Sequence, residues 1–167
     1  MNRDTDKESR FERLLEANKR RLAGIARSYA AGDEWHDLYQ DMLLQIWRSL
    51  DAFQERASVE TWVYRIALNT ALTHRRRAAV RPRQVNLTDE GVAGRHEVVA
   101  ASGPVSELEL LRGFIGSLGE IDRAVFTLYL DDVSYREMGE ILGMSESNVG
   151  VRINRIKNAF QARYFSG

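Results

Sequence analysis

The sequence of 167 residues predicts an all-α fold, with two small helical domains joined by a flexible linker. Apolar residues recur at helical spacing through most of the chain. No stretch of any length alternates apolar and polar residues in the manner of a β-strand. Both prolines and three of the glycines lie in one segment, residues 78–105, which lacks helical periodicity. That segment is therefore the predicted linker.

The first domain, residues 1–77, is predicted to contain three helices. The apolar residues of the first helix recur at helical spacing and are Phe11, Leu14, Leu15, Leu22, Ile25 and Tyr29. A second helix follows the break "AGDEW", and Asp37 and Gln40 have the spacing of a capping pair at its start. After the short loop "FQERAS", a third helix is expected from about Val59 to Arg77.

The second domain, residues 106–167, is predicted to contain four helices. The fourth and fifth helices of the chain are marked by apolar residues in "ELELLRGFIGSL" and "EIDRAVFTLYL". Ser134 and Glu137 form a capping box at the start of the sixth helix, and Gly143 is its expected C-terminal cap. Ser145 is the expected N-cap of the seventh helix.

The last two helices have the order and spacing of a helix-turn-helix, with Gly143 in the turn. Val149, Ile153 and Ile156 would anchor the second helix to the core. The other positions of this helix are candidates for contact with duplex DNA, and they are Ser147, Asn148, Val151, Arg152, Asn154, Arg155 and Lys157. Arg136, on the preceding helix, is a further candidate. Arg and Asn suit guanine and adenine edges. The alternative is a packed helical hairpin whose charged face is solvated.

The third helix, "TWVYRIALNTALTHRRR", is also a candidate for nucleic-acid contact. Trp62 offers a stacking surface, and Arg65 with Arg75, Arg76 and Arg77 could follow phosphates. Alternatively, Trp62 belongs to the core, and the terminal arginines only favour the negative end of the helix dipole.

Composition narrows the class of protein. The formal net charge is zero, but residues 61–88 contain six arginines and no acid, so the total hides a basic segment. There is no cysteine, which excludes disulfides and thiolate metal sites. The charged N-terminal residues have no signal-peptide core behind them, and no apolar run approaches the length of a membrane span. We therefore expect a soluble, cytoplasmic protein without membrane insertion.

The order of these segments resembles a bacterial RNA polymerase sigma factor of the extracytoplasmic-function (ECF) type. The resemblance is carried by "DLYQDMLLQIWRSLDAF", "TWVYRIALNTALTHRRR" and, after the linker, "SYREMGEILGMSESNVGVRINRIK". It extends from about Phe11 to Phe160. Each motif is weak alone, but their order and spacing are specific.

The resemblance implies a two-domain initiation factor whose partners are core RNA polymerase and promoter DNA, both duplex and single-stranded. The positions that match the polymerase clamp contact are Asp37, Leu38, Gln40, Asp41, Leu44 and Gln45. The positions that match capture of the −10 element include Phe53, Gln54, Arg56, Ser58 and Asn69, beside Trp62 and the arginines of the third helix. The helix-turn-helix would bind the −35 element. An anti-sigma factor is a further expected partner.

One position departs from the family pattern. Many family members carry a basic or polar residue at the position of Gly150, where glycine costs a helix up to about 1 kcal/mol relative to alanine. We assign it no base contact. It either allows close approach of DNA or contacts a neighbouring helix.

Two other classes of function fit less well. A stand-alone helix-turn-helix regulator would explain the C-terminal helices but not the ordered motifs between Asp37 and Arg77. An enzyme is not expected, because His36, His74 and His96 are scattered and no glycine-rich phosphate loop is present. We expect no catalytic residue, metal, cofactor or small-molecule substrate.

Overall fold

The computed structural model describes residues 3–80 and 106–165, which form seven α-helices and one short 3₁₀ helix and contain no strand. The helices are α1 (Arg3–Tyr29), α2 (Glu34–Ser49), a 3₁₀ turn (Leu50–Ala52), α3 (Val59–Val80), α4 (Glu107–Ser117), α5 (Glu120–Leu130), α6 (Tyr135–Leu142) and α7 (Glu146–Tyr164). The predicted all-α class is confirmed. Most of the predicted linker lies outside the described residues, and α3 continues to Val80, past the boundary expected at residue 77.

Helices α1, α2 and α3 form the N-terminal group and pack on one another around a shared apolar core. Its fully buried side chains include Leu22, Ile25, Leu38, Met42 and Ile46. These residues lie at helical spacing on α1 and α2, which is why the sequence pattern finds both helices.

The start of α2 differs from the prediction. The helix begins at Glu34, and the preceding Asp33 makes no side-chain capping bond. Gly32, with φ of +52°, reverses the chain there, so the turn that leads into α2 lies earlier than the apolar pattern suggests. The predicted capping pair of Asp37 and Gln40 is therefore wrong. Asp37 lies within the first turn, where its negative charge favours the helix dipole.

Helices α4 to α7 form the C-terminal group, and their caps follow the sequence signals. Ser134 and Glu137 form the predicted capping box of α6, and the Ser145 hydroxyl accepts a hydrogen bond of 3.2 Å from the Asn148 amide of α7. Gly143 is left-handed, with φ of 69°, as expected of a C-terminal cap. A further capping box, between Ser106 and Glu109, was not predicted.

The helix-turn-helix depends on a second glycine that the sequence pattern does not mark. The Gly139 carbonyl accepts a hydrogen bond of 3.0 Å from the Met144 amide across the turn. A Cβ atom at Gly139 would lie only 2.6 Å from the Met144 carbonyl oxygen. The turn between α6 and α7 therefore requires a residue without a side chain at this position.

The N-terminal and C-terminal groups pack against each other, with α3 on α6 and α1 on α4 and α5. The Tyr29 hydroxyl donates to the Glu120 carbonyl at 3.2 Å, and Arg123 donates to the Ser28 carbonyl at 3.1 Å. The Arg123 guanidinium also lies 5.3 Å from the centre of the Tyr29 ring. Burial raises the pKa of Tyr29 to about 12, so its hydroxyl keeps the donated proton at neutral pH. We call this packing of the two groups the closed arrangement.

Candidate nucleic-acid interface

The outward side of α7 carries exposed polar side chains over a buried apolar side. Val149, Ile153 and Ile156 are buried in the C-terminal group. The exposed residues, which we call the recognition face, are Ser147, Asn148, Val151, Asn154, Arg155 and Lys157. The predicted buried side of this helix is therefore confirmed. These exposed side chains lie opposite the buried side of α7, as contact with a duplex requires.

Arg152 and Arg155 are not independent of the rest of the protein. A nitrogen of Arg152 lies 2.6 Å from one oxygen of Asp122, and a nitrogen of Arg155 lies 2.7 Å from the other. The Arg152 side chain is 26 % exposed and that of Arg155 is 63 % exposed. Asp122 was not predicted as a site residue, because it lies on α5, far from α7 in the sequence.

Arg136 and Gly150, in the C-terminal group, differ in their exposure and in their neighbours. Arg136 is exposed and lies 3.5 Å from Glu140 on the same helix, so its charge is partly offset. A Cβ atom at Gly150 would lie 3.7 Å from the Tyr135 ring, an ordinary contact. The packing of α7 on α6 therefore does not require glycine at this position, and an alanine would fit there.

The N-terminal group carries an aromatic pair next to the loop of residues 54–58. The rings of Phe53 and Trp62 lie 4.8 Å apart and are tilted by 37°, and both side chains are half-buried. Gln54 and Arg56 in the loop are exposed, and Glu55 has a φ of +54°. The pair therefore presents ring surface at the edge of the core rather than within it.

Ser58, at the end of that loop, serves the fold directly. Its hydroxyl accepts a hydrogen bond of 3.1 Å from the Thr61 amide and so caps α3. The cap holds the first turn of α3, which carries Trp62. Ser58 is nevertheless exposed, so its side of the loop stays open to a partner.

A groove of about 550 Å³ runs between α2 and α3. From α2 it is lined by Asp41, Leu44 and Gln45, which were predicted to contact polymerase. From α3 it is lined by Asn69 and Arg77, which were predicted to contact the −10 element. The two predicted surfaces are therefore neighbours on one side of the N-terminal group.

Not every predicted residue is available to a partner. Leu38 is fully buried in the core, so its side chain packs α2 and does not reach the surface. Arg65 donates through Nε, at 3.2 Å, and Nη2 to the Glu140 carbonyl of α6. A buried Nη1 atom of Arg75 lacks a hydrogen-bond partner among the described residues. The exposed members of the predicted set on the N-terminal group are Asp37, Gln40, Asp41, Leu44, Gln45, Gln54, Arg56, Ser58, Arg65, Asn69, Arg76 and Arg77.

The described residues, 3–80 and 106–165, contain no metal centre and no membrane span. Within them no group of three His, Asp or Glu side chains is placed to hold a metal ion. No helix in these ranges is both long enough and apolar enough to cross a membrane.

The C-terminal group presents an exposed, polar recognition helix. The N-terminal group of the same chain presents an aromatic pair and exposed arginines. These features together define a DNA-binding protein with two helical modules. Residues 14–81 match the family model of Sigma-70 region 2, and residues 108–160 match that of Sigma-70 region 4. The chain belongs to the sigma-70 family of RNA polymerase sigma factors and is of the ECF type.

Similar proteins carry the name of the same family. The chain is 26% identical over 161 residues to the ECF RNA polymerase sigma-E factor of Haemophilus influenzae, a match that covers 90% of this chain and 85% of that protein. It is 29% identical over 160 residues to the protein of the same name from Escherichia coli, with 89% and 83% covered.

Two solved structures of complexes contain a chain with the same fold. One is CnrH in complex with the cytosolic domain of CnrY, with a TM-score of 0.66, 24% identity, and 93% of this chain and 87% of that chain covered. The other is the sigma factor RpoE in complex with the anti-sigma factor NepR from Bartonella quintana, with a TM-score of 0.68, 22% identity, and 93% and 94% covered.

Proposed function

We propose that this protein binds bacterial core RNA polymerase and directs it to initiate transcription at a specific set of promoters, for a regulon that answers a stress or envelope signal. The observation that carries this is the presence of both sigma-70 regions, in order, on a chain whose α7 exposes a polar and basic face. A stand-alone helix-turn-helix regulator would use α6 and α7 alone and would leave residues 14–81 without a role.

The work is divided between two modules. Residues 1–77 bind polymerase and the −10 element, residues 106–167 bind the −35 element, and residues 78–105 connect them. The protein contributes binding and positioning, and the chemistry of RNA synthesis belongs to the polymerase. Because its partner works on the chromosome, the protein acts in the cytoplasm.

The exposed side of α2 is the proposed contact with the polymerase clamp helices. Asp37, Gln40, Asp41 and Gln45 supply carboxylates and amides, and Leu44 adds an apolar side chain that is 43% exposed. Such a surface suits a basic helix with an apolar ridge. Leu38 supports it from below by fixing α2 to the core.

The −10 element is proposed to bind at the aromatic pair and along α3. Extracting a base from the stack costs a few kcal/mol, which a ring surface and a hydrogen-bonding side chain can offset. Phe53 and Trp62 provide the ring surface, and the exposed amide of Asn69 provides hydrogen bonds. Arg76 and Arg77, both exposed at the end of α3, are placed to follow the single strand.

Promoter binding requires the closed arrangement to open. Elements separated by roughly 25 base pairs lie about 85 Å apart on a duplex with a rise of about 3.4 Å per base pair. The N-terminal and C-terminal groups are in direct contact here, and Arg65 on α3 bonds to α6. We therefore propose that the closed arrangement is a resting state. We also propose that an anti-sigma factor binds this protein and prevents it from binding polymerase.

The experiment that tests this function is transcription in vitro with purified core polymerase on a library of host promoter fragments. Core with this protein should produce transcripts from a discrete promoter set, and core alone should not. A double variant with Asp37→Ala and Asp41→Ala is the matched control, because it keeps the recognition face but should lose core binding.

Failure of the protein to bind core and to direct any start would contradict the proposal. A duplex-binding screen with the protein alone would then test the stand-alone regulator. Specific duplex binding without polymerase would favour that alternative.

A further inference from the structure

Asp122 is the only acid of α5 that forms an ion pair with α7 in the described part of the chain, and it joins two arginines at once. Arg152 Nη1 donates to Oδ1 at 2.6 Å, and Arg155 Nη2 donates to Oδ2 at 2.7 Å. The Asp122 side chain is 22% exposed, so these bonds form in a partly desolvated place. Each oxygen of the carboxylate thus holds one guanidinium.

The two arginines differ in what they can still reach. Arg152 is mostly covered, and its Nε atom is buried without a partner among the described residues. Arg155 is 63% exposed and lies on the recognition face. A guanidinium has five N–H donors in a rigid fork, so one bond to Asp122 leaves several donors of Arg155 directed outward.

We infer that Asp122 is a positioning residue for promoter recognition: it orients Arg155 to read a base pair of the −35 element and holds Arg152 as a supporting side chain. Bidentate pairing with guanine requires a fixed orientation of the fork, and a free arginine samples many rotamers. This inference rests on the proposed function. It also removes Arg152 from the residues proposed to contact bases, because Arg152 then acts only through its contact with Asp122.

Asp122 also affects affinity through its charge. A carboxylate beside two arginines lowers the local positive charge, which weakens attraction to any phosphate backbone regardless of sequence. The charge therefore weakens binding to correct and scrambled sequences alike, whereas orientation strengthens binding to the correct base pair alone. Only orientation raises the ratio of specific to non-specific affinity.

The test measures that ratio with reconstituted holoenzyme. Fluorescence anisotropy would give dissociation constants for a promoter fragment recovered by the transcription experiment and for the same fragment with a scrambled −35 element. Asp122→Asn should lower the specificity ratio about tenfold, since one good base contact discriminates by that order. It should also tighten binding to the scrambled fragment and steepen its salt dependence by about one ion.

Glu120→Gln is the matched control, because it removes the same charge from the first turn of α5, where no ion pair links Glu120 to the described α7. Its specificity ratio should equal that of the native protein. A thermal melt of each variant would check folding. In an Arg155→Ala background, adding Asp122→Asn should change the ratio no further, which a general loss of fold would not reproduce.

Two results would overturn the inference in different ways. If Arg155→Ala lowers the ratio but Asp122→Asn does not, Arg155 reads DNA without help from Asp122. If Arg155→Ala also leaves the ratio unchanged, Arg155 reads no base pair, whereas the proposed function fails only if the transcription experiment gives no promoter-specific starts. The two failures are therefore distinguishable.

Discussion

The Tyr64 hydroxyl on α3 donates a hydrogen bond of 3.1 Å to the carboxylate of Asp131, which follows α5. This bond joins the N-terminal group to the C-terminal group. The Arg21 guanidinium lies 5.8 Å from the centre of the Tyr64 ring on the same side of the interface. Burial raises the pKa of Tyr64, so its hydroxyl remains a donor at neutral pH.

The pKa of Asp131 makes the closed arrangement sensitive to pH. Burial raises this pKa above the ordinary value, outweighing the hydrogen bond from Tyr64, which lowers it. A raised pKa in the closed arrangement means that protonation of Asp131 favours it. Its stabilisation is therefore present at low pH and is lost as pH rises through the raised pKa.

We predict that Asp131→Asn increases the closed population at neutral pH and weakens its dependence on pH. Asparagine keeps an acceptor for Tyr64 and removes the buried charge. The chain has no cysteine, so cysteines introduced at the exposed Arg13 and Asn158 can carry dyes for energy transfer. Energy transfer in the native protein should fall as pH rises through the raised pKa of Asp131, and a pH titration that starts in the ordinary aspartate range measures this fall.

Asp132→Asn is the control for that experiment. Asp132 is the exposed neighbour, and its φ of +57° is one that asparagine tolerates. Because the charge of Asp132 makes only the smallest contribution to the pKa of Asp131, this change should leave the pH dependence of energy transfer nearly unchanged. Equal pH profiles for the native protein and Asp131→Asn would rule out Asp131 as the titrating group.

Two glycines of the helix-turn-helix should respond in opposite ways to alanine. Gly139→Ala places a Cβ atom 2.6 Å from a backbone oxygen, so the turn must shift and the free energy of unfolding should fall by about 1–3 kcal/mol. Gly150→Ala meets only the Tyr135 ring at 3.7 Å and should raise the free energy of unfolding by up to about 1 kcal/mol. Urea denaturation measures both.

The same pair also tests the role of Gly150 in DNA binding. If DNA binding does not require a glycine at position 150, Gly150→Ala should keep full affinity for the −35 element. A stabilised variant with weakened −35 binding would instead show that the DNA backbone approaches Gly150 closely.

Local signals in the sequence predict most of this fold, and features that depend on packing are missed. Gly143 was found because a glycine after a helical pattern favours a left-handed cap. Gly139 was missed because its need arises from Met144 across the turn. The start of α2 was misplaced because Gly32 begins the turn before the apolar pattern does.

In the candidate site, too, local signals predict the helix faces, and contacts that depend on packing are missed. The exposed side of α7 follows from helical periodicity, since it is the side opposite the buried anchors. The link from Asp122 to Arg152 and the link from Tyr64 to Asp131 each join residues far apart in the sequence. A single sequence carries no periodic signal for such pairs.

Leu38 and Leu44 on α2 should separate stability from polymerase binding. Leu38 is 0% exposed, so Leu38→Ala should lower the free energy of unfolding by about 2–5 kcal/mol through the cavity that it leaves. Leu44 is 43% exposed, so Leu44→Ala should change stability little and weaken core binding about tenfold. Urea denaturation and titration of labelled protein with core polymerase give the two quantities. Unchanged core affinity of Leu44→Ala would remove Leu44 from the polymerase contact.

Phe53→Ala should impair promoter opening more than polymerase binding. Phe53 is half-buried, and its ring packs against the tilted ring of Trp62 at 4.8 Å at the edge of the core, so its loss should leave the N-terminal group folded. A stacked base gains about 1–3 kcal/mol from an aromatic surface, so strand opening should fall by at least about tenfold. Permanganate reactivity of the −10 thymines, measured at saturating holoenzyme, reports opening separately from binding.

Phe165→Ala is the control for this variant. Phe165 is 73% exposed and belongs to the C-terminal group, so its loss removes a similar ring that is not part of the proposed −10 site. It should leave permanganate reactivity unchanged. If Phe53→Ala instead reduces core affinity while opening per bound complex stays normal, Phe53 supports the fold of α2 and α3, and the base-binding surface must be sought along the groove beside Asn69.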